Sequence, residues 1–153
     1  MDLLYFEYST KNPIYLNKFR ELVNGISSSF SSVILGKNDD YHIWHQETGE
    51  SKYINNDSYD IWFDGYVHSF GAQRLADFLE TLAERIVQKG VALTGKESGI
   101  FNIIISDEST NKVYLANDPG GLFPIYYTIH DKAFYASTHL YLLAKSLNAK
   151  TDY

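Results

Sequence analysis

The sequence has 153 residues, of which 44% are hydrophobic and 16% aromatic, so it should fold as one domain with a substantial core. Its net charge of −6 and its scattered 13 basic residues argue against a nucleic-acid surface, which needs clustered Lys and Arg. The absence of cysteine excludes disulfides, thiolate metal sites and a cysteine nucleophile within these residues.

The sequence shows no sign of membrane targeting. No stretch is apolar for long enough to span a bilayer. Residues 1–7 lack the basic start and the long apolar run of a signal peptide. We therefore expect a cytoplasmic protein that makes no membrane contact.

The first half of the chain predicts short strands and one helix. Strands are expected over residues 3–8, 32–35 and 41–45, with a turn over residues 37–40. Another strand is expected over residues 59–63. A helix should begin at Asn12 and Pro13, because five apolar residues follow at helical spacing: Leu16, Phe19, Leu22, Val23 and Ile26.

The second half begins with the clearest helix of the sequence and ends with strands. An i, i+3, i+4, i+7 apolar stripe predicts this helix, and Gly90 is well placed to end it. The stripe consists of Leu75, Phe78, Leu79, Leu82, Ala83, Ile86 and Val87.

Three consecutive strands should then form a hairpin ladder. They are expected over residues 99–105, 112–116 and 122–129, with polar turns between them. Ser137 or Thr138 should cap a last helix that runs to Leu147. The order of elements predicts an α+β fold with mixed or antiparallel sheets.

The same stretch resembles the glutaminase-type domain at the N-terminus of asparagine synthetases. Those proteins read G-x-F-A-F-x-x-W-D, then a hairpin, then A-R-D-R-x-G-x-K-P-L-Y-Y. Farther on, Phe134–His139 resembles their F-A-S-E segment, and the order of elements agrees over residues 59–147. The matching framework positions are Gly99, Phe101, Asp107, Ala116, Asp118, Gly121, Pro124, Ile125, Tyr126 and Tyr127.

This resemblance implies a specific architecture within the α+β class. It is the αββα sandwich of the N-terminal-nucleophile (Ntn) hydrolases, in which two stacked, mostly antiparallel sheets lie between helical layers. The matching residues belong to the structural framework and not to the catalytic site, so the resemblance supports a fold more than an activity.

The resemblance also implies a chemistry that the sequence lacks. In the family, an N-terminal cysteine attacks the glutamine amide with its own α-amine as base, whereas residue 2 here is Asp2. The family's Asn-Gly pair, which forms the oxyanion hole, is Asp64-Gly65 here. An ionised carboxylate cannot donate a hydrogen bond to an oxyanion. Asp64-Gly65 is therefore interpreted as a degenerate oxyanion segment, with a plain β-turn favoured over a residual ligand site.

The substrate-binding segments of the family are missing as well. Its R-G-P-D and S-D-x-E segments have no recognisable counterpart, and the two arginines of A-R-D-R are Asn117 and Pro119. We therefore expect no catalytic residue in this domain.

Other patterns are weaker. Gly90–Glu97 nearly spells a nucleotide-binding P-loop, but Glu97 replaces the required Ser or Thr, and the segment follows a helix instead of a strand. His42 and His45 should point to opposite faces of a strand, so no metal site is expected. Four closely spaced carboxylates predict an acidic surface cluster: Asp39, Asp40, Asp57 and Asp60.

The sequence thus predicts a single glutaminase-like domain over residues 1–153, a pseudoenzyme cut from a longer asparagine-synthetase-related ligase. Its expected role is docking onto a synthetase domain, in cis or on a partner subunit, with a homodimer as a further arrangement. No cofactor is expected in this domain, since ATP and Mg²⁺ are implied only for the synthetase domain. The alternatives are a free-standing binding module for a small ligand or peptide, and a functional glutamine amidohydrolase. Tyr126 and Tyr127 suit a sheet core and a partner interface equally well.

Overall fold

The computed structural model describes residues 4–8, 18, 21–22, 30–35, 41–46, 52–67, 74–89 and 99–149. The chain separates into two compact units, and each of them contains one antiparallel sheet. We call Gly49–Pro124 the central unit. The terminal unit combines Asp2–Thr48 with Ile125–Tyr153.

Strands dominate the described residues. They are β1 (Leu4–Tyr8), β2 (Phe30–Leu35), β3 (Tyr41–Gln46), β4 (Lys52–Asn55), β5 (Tyr59–Val67), β6 (Gly99–Asp107), β7 (Lys112–Asn117), β8 (Tyr126–His130) and β9 (Ala133–Ser137). The helices with assigned bounds are α1 (Leu75–Lys89) and α2 (Leu140–Ser146), and residues 18, 21 and 22 are also helical.

The central unit is a four-stranded sheet in the order β4-β5-β6-β7, with α1 packed on one face. Alternate residues of β5 and β6 point toward the helix, because successive side chains of a strand point to opposite faces. Each apolar side chain buried in this way contributes about 1.5–3 kcal/mol. The buried core consists of Ile61, Phe63, Val67, Leu79, Leu82, Ala83, Ile86, Phe101, Ile103, Ile105 and Ala116.

The terminal unit is a five-stranded sheet in the order β2-β3-β1-β9-β8. Its central strand β1 pairs with β3 on one side and with β9 on the other. The β8–β9 hairpin turns at Asp131 and Lys132, whose φ angles of 49° and 66° are those of a type I′ turn. The helix α2 packs against β9 and buries Leu142 and Leu143.

The predicted α+β class with antiparallel sheets is confirmed. The predicted strands at residues 3–8, 32–35 and 41–45 correspond to β1, β2 and β3, and the predicted long helix corresponds to α1. Of the predicted helix after Asn12, the described residues 18, 21 and 22 are helical, and the remainder lies outside the described residues. The turn at residues 37–40 and Gly90 also lie outside them.

Three predictions about element boundaries are wrong. The third strand of the ladder begins at Tyr126 and pairs with β9 in the terminal sheet, so only β6 and β7 form the expected hairpin. The strand β5 continues to Val67, which places Asp64-Gly65 inside a strand and not in a β-turn. The last helix has His139 at its N-cap, while the Ser137 hydroxyl oxygen accepts a hydrogen bond from the His139 N–H.

Two strands were not predicted from the sequence. β4 contains only four residues, and β9 lies in the segment noted only for its resemblance to F-A-S-E. Across the residues described, no helix is both long and apolar enough to cross a bilayer.

Candidate functional site

A row of polar side chains crosses the central sheet on the face opposite α1. The register pairs Asp64 of β5 with Asn102 of β6, and Asn102 with Asn117 of β7. Paired residues point to the same face of a sheet, and the flanking residues Phe63 and Ile103 point the other way, into the core under α1. We call Asp64, Asn102 and Asn117 the polar row.

The polar row is largely removed from solvent. Asp64 is 1% exposed and Asn102 is fully buried, whereas Asn117 is half-buried at the end of β7. The row therefore combines a buried carboxylate with two carboxamides, a set rich in hydrogen-bond acceptors.

Asn102 is the unusual member of this row. Both Oδ1 and Nδ2 of its side chain are buried, and neither has a hydrogen-bond partner among the residues that the structure describes. Leaving buried polar atoms unsatisfied costs about 1–3 kcal/mol. Native proteins keep few such groups, and those they keep are concentrated at functional positions.

A second polar cluster lies on the same face, at the outer strand β4. The Tyr53 hydroxyl donates a hydrogen bond of 2.9 Å to Asp60 Oδ1, and the Asn55 side-chain amide donates to the same oxygen. Burial raises the pKa of Tyr53 to about 12, and the hydrogen bond and negative charge of Asp60 add to this increase. Tyr53 therefore remains a neutral donor at physiological pH and is unsuited to act as a general base.

This cluster corrects the prediction of an acidic surface patch. Asp60 is buried and accepts hydrogen bonds, whereas Asp57 is exposed in the turn between β4 and β5. Asp39 and Asp40 lie outside the described residues.

Two glycines allow β5 and β6 to approach closely beside the polar row. Gly65 has a φ of +113°, and a Cβ atom there would lie 2.2 Å from the Ile100 carbonyl oxygen. A Cβ atom on Gly99 would lie 2.3 Å from the Tyr66 carbonyl oxygen. Only glycine fits either position, so backbone geometry is sufficient reason for glycine at both.

A buried carboxylate organises the loop after β7. Asp118 accepts hydrogen bonds from the Leu122 N–H at 3.1 Å and from the Phe123 N–H at 3.2 Å. Its own N–H donates to the Phe101 carbonyl oxygen at 2.9 Å. Gly121 takes a φ of +61°, the left-handed conformation that this turn requires. These hydrogen bonds thus fix the backbone conformation of the loop that follows Asn117, the last residue of the polar row.

Comparison with known families gives this arrangement a context. A family model described as a glutamine amidotransferase domain matches residues 64–145, which is more than half of the chain. The chain belongs to this family. No curated protein matches it. The match begins at Asp64, so the glutamine amidotransferase region includes the whole polar row and continues through β8 and β9 into α2.

The positions that carry the resemblance to the glutamine amidotransferase family lie in the core, in turns and on the surface of this chain. Phe101 and Ala116 are buried in the core, and the Phe101 ring stacks on Phe63 with centroids 5.7 Å apart. Asp107, Asp118 and Gly121 form turns, and Pro124 is half-buried at the end of the central unit. Ile125 is half-buried and Tyr126 and Tyr127 are exposed in the terminal unit, the latter two as the first residues of the edge strand β8.

Asn102 is the candidate site residue that sequence reasoning missed. The sequence does mark this residue, because Asn102 is the only polar residue in the run from Ile100 to Ile105. Of the residues singled out from the sequence, Asp64, Gly65 and Asn117 lie beside it, whereas Tyr126 and Tyr127 belong to the other unit.

The remaining sequence patterns add no site to the described parts of this glutamine amidotransferase chain. No three His, Asp or Glu side chains within those parts are close enough together to hold a metal ion. His42 is half-buried on β3. The P-loop-like segment Gly90–Glu97 lies outside the described residues, but α1 precedes it and β6 follows it, as predicted.

Asp107 should stabilise the β6–β7 hairpin in a pH-dependent way. Its carboxylate accepts hydrogen bonds from Ser109 N–H, Ser109 Oγ and Thr110 Oγ1. Burial would raise the pKa of Asp107, but the hydrogen bonds from Thr110 and Ser109 outweigh this effect and leave the pKa below its usual value. A depressed pKa in the folded state means that the stabilisation is complete above the unfolded pKa and disappears as the pH falls through the folded value.

We therefore expect Asp107→Asn to lower the free energy of unfolding at pH 7 by about 1–2 kcal/mol. The difference from the unmodified protein should shrink below about pH 4, where the unfolded carboxyl group begins to bind protons. Urea unfolding of both proteins at a series of pH values measures this difference in unfolding free energy. Asp57→Asn, at an exposed carboxylate, is the control and should show no such trend. A difference that stays constant with pH would contradict the interpretation.

Proposed function

We propose that this chain is a glutamine amidotransferase domain without glutaminase activity. In this proposal it acts by docking onto an ATP-dependent amide-forming domain of the asparagine-synthetase type, in cis or on a partner subunit. The proposed fold is the Ntn-hydrolase αββα sandwich, with the two antiparallel sheets stacked between helical layers.

The observation that carries the proposal is the identity and burial of Asp64. By resemblance, this position supplies an Asn side-chain donor to the oxyanion in active relatives. Here a carboxylate, 1% exposed, takes its place on β5. An ionised carboxylate would repel the developing negative charge, and the loss of one oxyanion donor alone costs about 10²–10³ in kcat. The sequence also contains no cysteine to attack the amide.

Docking is supported by the apolar surface of the terminal unit. A cavity of about 460 Å³ opens between β8 and α2, lined largely by apolar side chains such as Ile125, Leu143 and Leu147. Leu140 and Tyr141 of α2 are more than half exposed beside it. Exposed apolar patches of this kind mark protein-interaction surfaces.

Incubating the purified chain with glutamine tests the catalytic half of the proposal. Released glutamate should stay at the level of a protein-free control, both for the chain and for its Asp64→Asn variant. Intact-mass spectrometry after treatment with an electrophilic glutamine analogue should show no adduct. Multiple-turnover glutamate release that Asp64→Asn changes would overturn this half.

Cross-linking in the source cells tests the docking half. The expected product joins this chain to an ATP-dependent amide-forming enzyme, or shows both within one polypeptide. Cross-links that consistently reach other classes of protein would argue against docking of this kind.

A second candidate function is a binding module that holds a small polar ligand at the polar row. It is favoured by Asn102, whose buried amide presents a donor and an acceptor without a partner among the described residues. A ligand carrying a carboxamide or an amine would satisfy Asn102 beside the acceptor groups of Asp64 and Asn117. Titration calorimetry with glutamine and asparagine tests this function directly, and binding by the unmodified chain should disappear in an Asn102→Leu variant.

Asn102→Leu should also stabilise the protein in the absence of any ligand. The substitution keeps the branching at Cγ and removes two unsatisfied polar atoms, so we expect a gain of about 1–3 kcal/mol in unfolding free energy. Thermal and urea unfolding measure it. Asn55→Leu is the matched control, because Asn55 donates to Asp60 and its loss should give no gain. A destabilised Asn102→Leu variant would mean that the Asn102 amide is satisfied in solution.

A further inference from the structure

Within the part of the chain that the structure describes, β8 is an edge strand that pairs only with β9. The register pairs His130 with Ala133 across the two-residue turn, so these two residues form the closing hydrogen-bonded pair of the hairpin. Hydrogen-bonded and non-hydrogen-bonded pairs alternate in an antiparallel ladder. The backbone groups of Tyr127 and Ile129 therefore point away from β9. Among the described residues, no backbone group bonds to them on that side.

This edge is also apolar. The side chains of Tyr127 and Ile129 are 73% and 74% exposed, and both lie on the same face of the sheet. Natural sheet edges are usually protected by lysine, proline, a bulge or an inward-pointing charge. The five residues from Tyr126 to His130 contain none of these devices.

We propose that β8 pairs with β8 of a second copy of this chain, antiparallel about a two-fold axis at Thr128. This register uses every outward backbone group. Tyr127 exchanges two hydrogen bonds with the partner's Ile129, and Ile129 exchanges two with the partner's Tyr127. The two five-stranded sheets become one continuous sheet, and the interface is isologous, as a two-fold dimer requires.

The side chains suit this register. On one face, Tyr127 lies against the partner's Ile129, an aromatic–β-branched pair of the kind that stabilises antiparallel strands. On the other face, Tyr126 lies opposite the partner's His130. The cavity between β8 and α2 is lined by Tyr126, Thr128 and His130 of this second face, and Tyr127 contributes to its wall as well.

The charges permit the same arrangement in a chain with a net charge of −6. The strand β8 contains no Asp, Glu, Lys or Arg. The nearest charged residues, Asp131 and Lys132, lie in the turn that leads to β9, beyond the last paired residue His130. Like charges therefore do not face each other among the paired residues of the two β8 strands.

The central pair provides a direct test, because the chain has no cysteine. Thr128 and the partner's Thr128 form a non-hydrogen-bonded pair, whose Cα atoms lie about 4.5 Å apart in antiparallel strands. This separation is within the disulfide range of about 4.4–6.8 Å. Thr128→Cys should therefore form a covalent dimer on mild oxidation, at twice the 17.5 kDa mass of the chain.

Two matched controls define the register. Thr110→Cys, in the exposed turn of the central unit, should remain monomeric under the same oxidation. Tyr127→Cys should also remain monomeric, because its sulfur would face the partner's Ile129. Disulfide formation by Tyr127→Cys in preference to Thr128→Cys would overturn the register.

The unmodified chain should sediment as a dimer at micromolar concentration, and Ile129→Lys should convert it to a monomer with an unchanged circular dichroism spectrum. A monomeric unmodified chain, together with a folded Thr128→Cys variant that does not cross-link, would overturn the proposal. That combined result would mean that the edge of β8 pairs with a different protein or with another part of a longer polypeptide.

Discussion

Replacing Gly65 with alanine should destabilise the protein by at least about 3 kcal/mol, a large share of the roughly 5–15 kcal/mol by which folded domains are ordinarily stable. Two costs add at this position. A φ of +113° is strained for any residue with a Cβ atom, and that Cβ atom would lie 2.2 Å from the Ile100 carbonyl oxygen. The contact is with backbone, so no side-chain rotation can relieve it. The two central strands β5 and β6 would have to separate.

Gly121→Ala separates the steric cost from the conformational one. Gly121 also has a positive φ, but the nearest atom to a Cβ there is Asn117 Nδ2 at 3.6 Å, an ordinary contact. This variant should lose only about 1–2 kcal/mol, the cost of placing alanine in the left-handed region. Urea unfolding of the three proteins measures both effects. Equal losses of unfolding free energy in the Gly65 and Gly121 variants would show that β5 and β6 can move apart at little energetic cost.

Phe101→Ala should lower the unfolding free energy by about 3–5 kcal/mol. The ring is fully buried between the sheet and α1 and stacks on Phe63, so its removal loses transfer free energy and leaves a cavity in the core. Phe101→Leu refills most of that volume and should cost about half as much or less. Denaturant unfolding monitored by circular dichroism compares the two variants.

Tyr66→Ala is the surface control for this pair, since that ring is half exposed on β5. Its cost should be below about 1 kcal/mol. If Phe101→Ala cost no more than Tyr66→Ala, the apolar layer under α1 would not be the main source of stability in the central unit.

The helix α1 could be predicted from sequence, because a single stripe of apolar residues decides it. The β6–β7 hairpin could be predicted for a similar reason, since both of its strands and the turn between them are local. The strand with which β8 pairs could not be predicted from the sequence. Turn residues indicate where a strand ends, but Asp118 and its hydrogen bonds direct the chain out of the central sheet, and no periodicity records that direction.

Asp64-Gly65 shows how a local preference can be overridden. An Asp-Gly pair is a common turn signal, yet here it lies in the middle of the register between β5 and β6. Gly65 is needed for the close approach to Ile100, a contact that becomes visible only when the two strands are paired. Asn102 was missed because the surrounding run of isoleucines identifies a strand without showing which of its faces is polar.

The pairing of β1 with β9 constrains how the chain can fold as it leaves the ribosome. The central unit, Gly49–Pro124, is one continuous segment and can form once Pro124 has emerged from the ribosome. The strand β1 can pair with β3 early on one edge, but its other edge pairs with Phe134–Ser137 and stays unpaired until those residues have been made. Pairing across such a long loop is slow. Until then, Leu4–Tyr8 offers an open strand edge in the nascent chain, the kind of exposure that chaperones protect. The terminal sheet is thus the part of this protein that folds last. A pause in translation before β9 would prolong the time during which β1 has an unpaired edge.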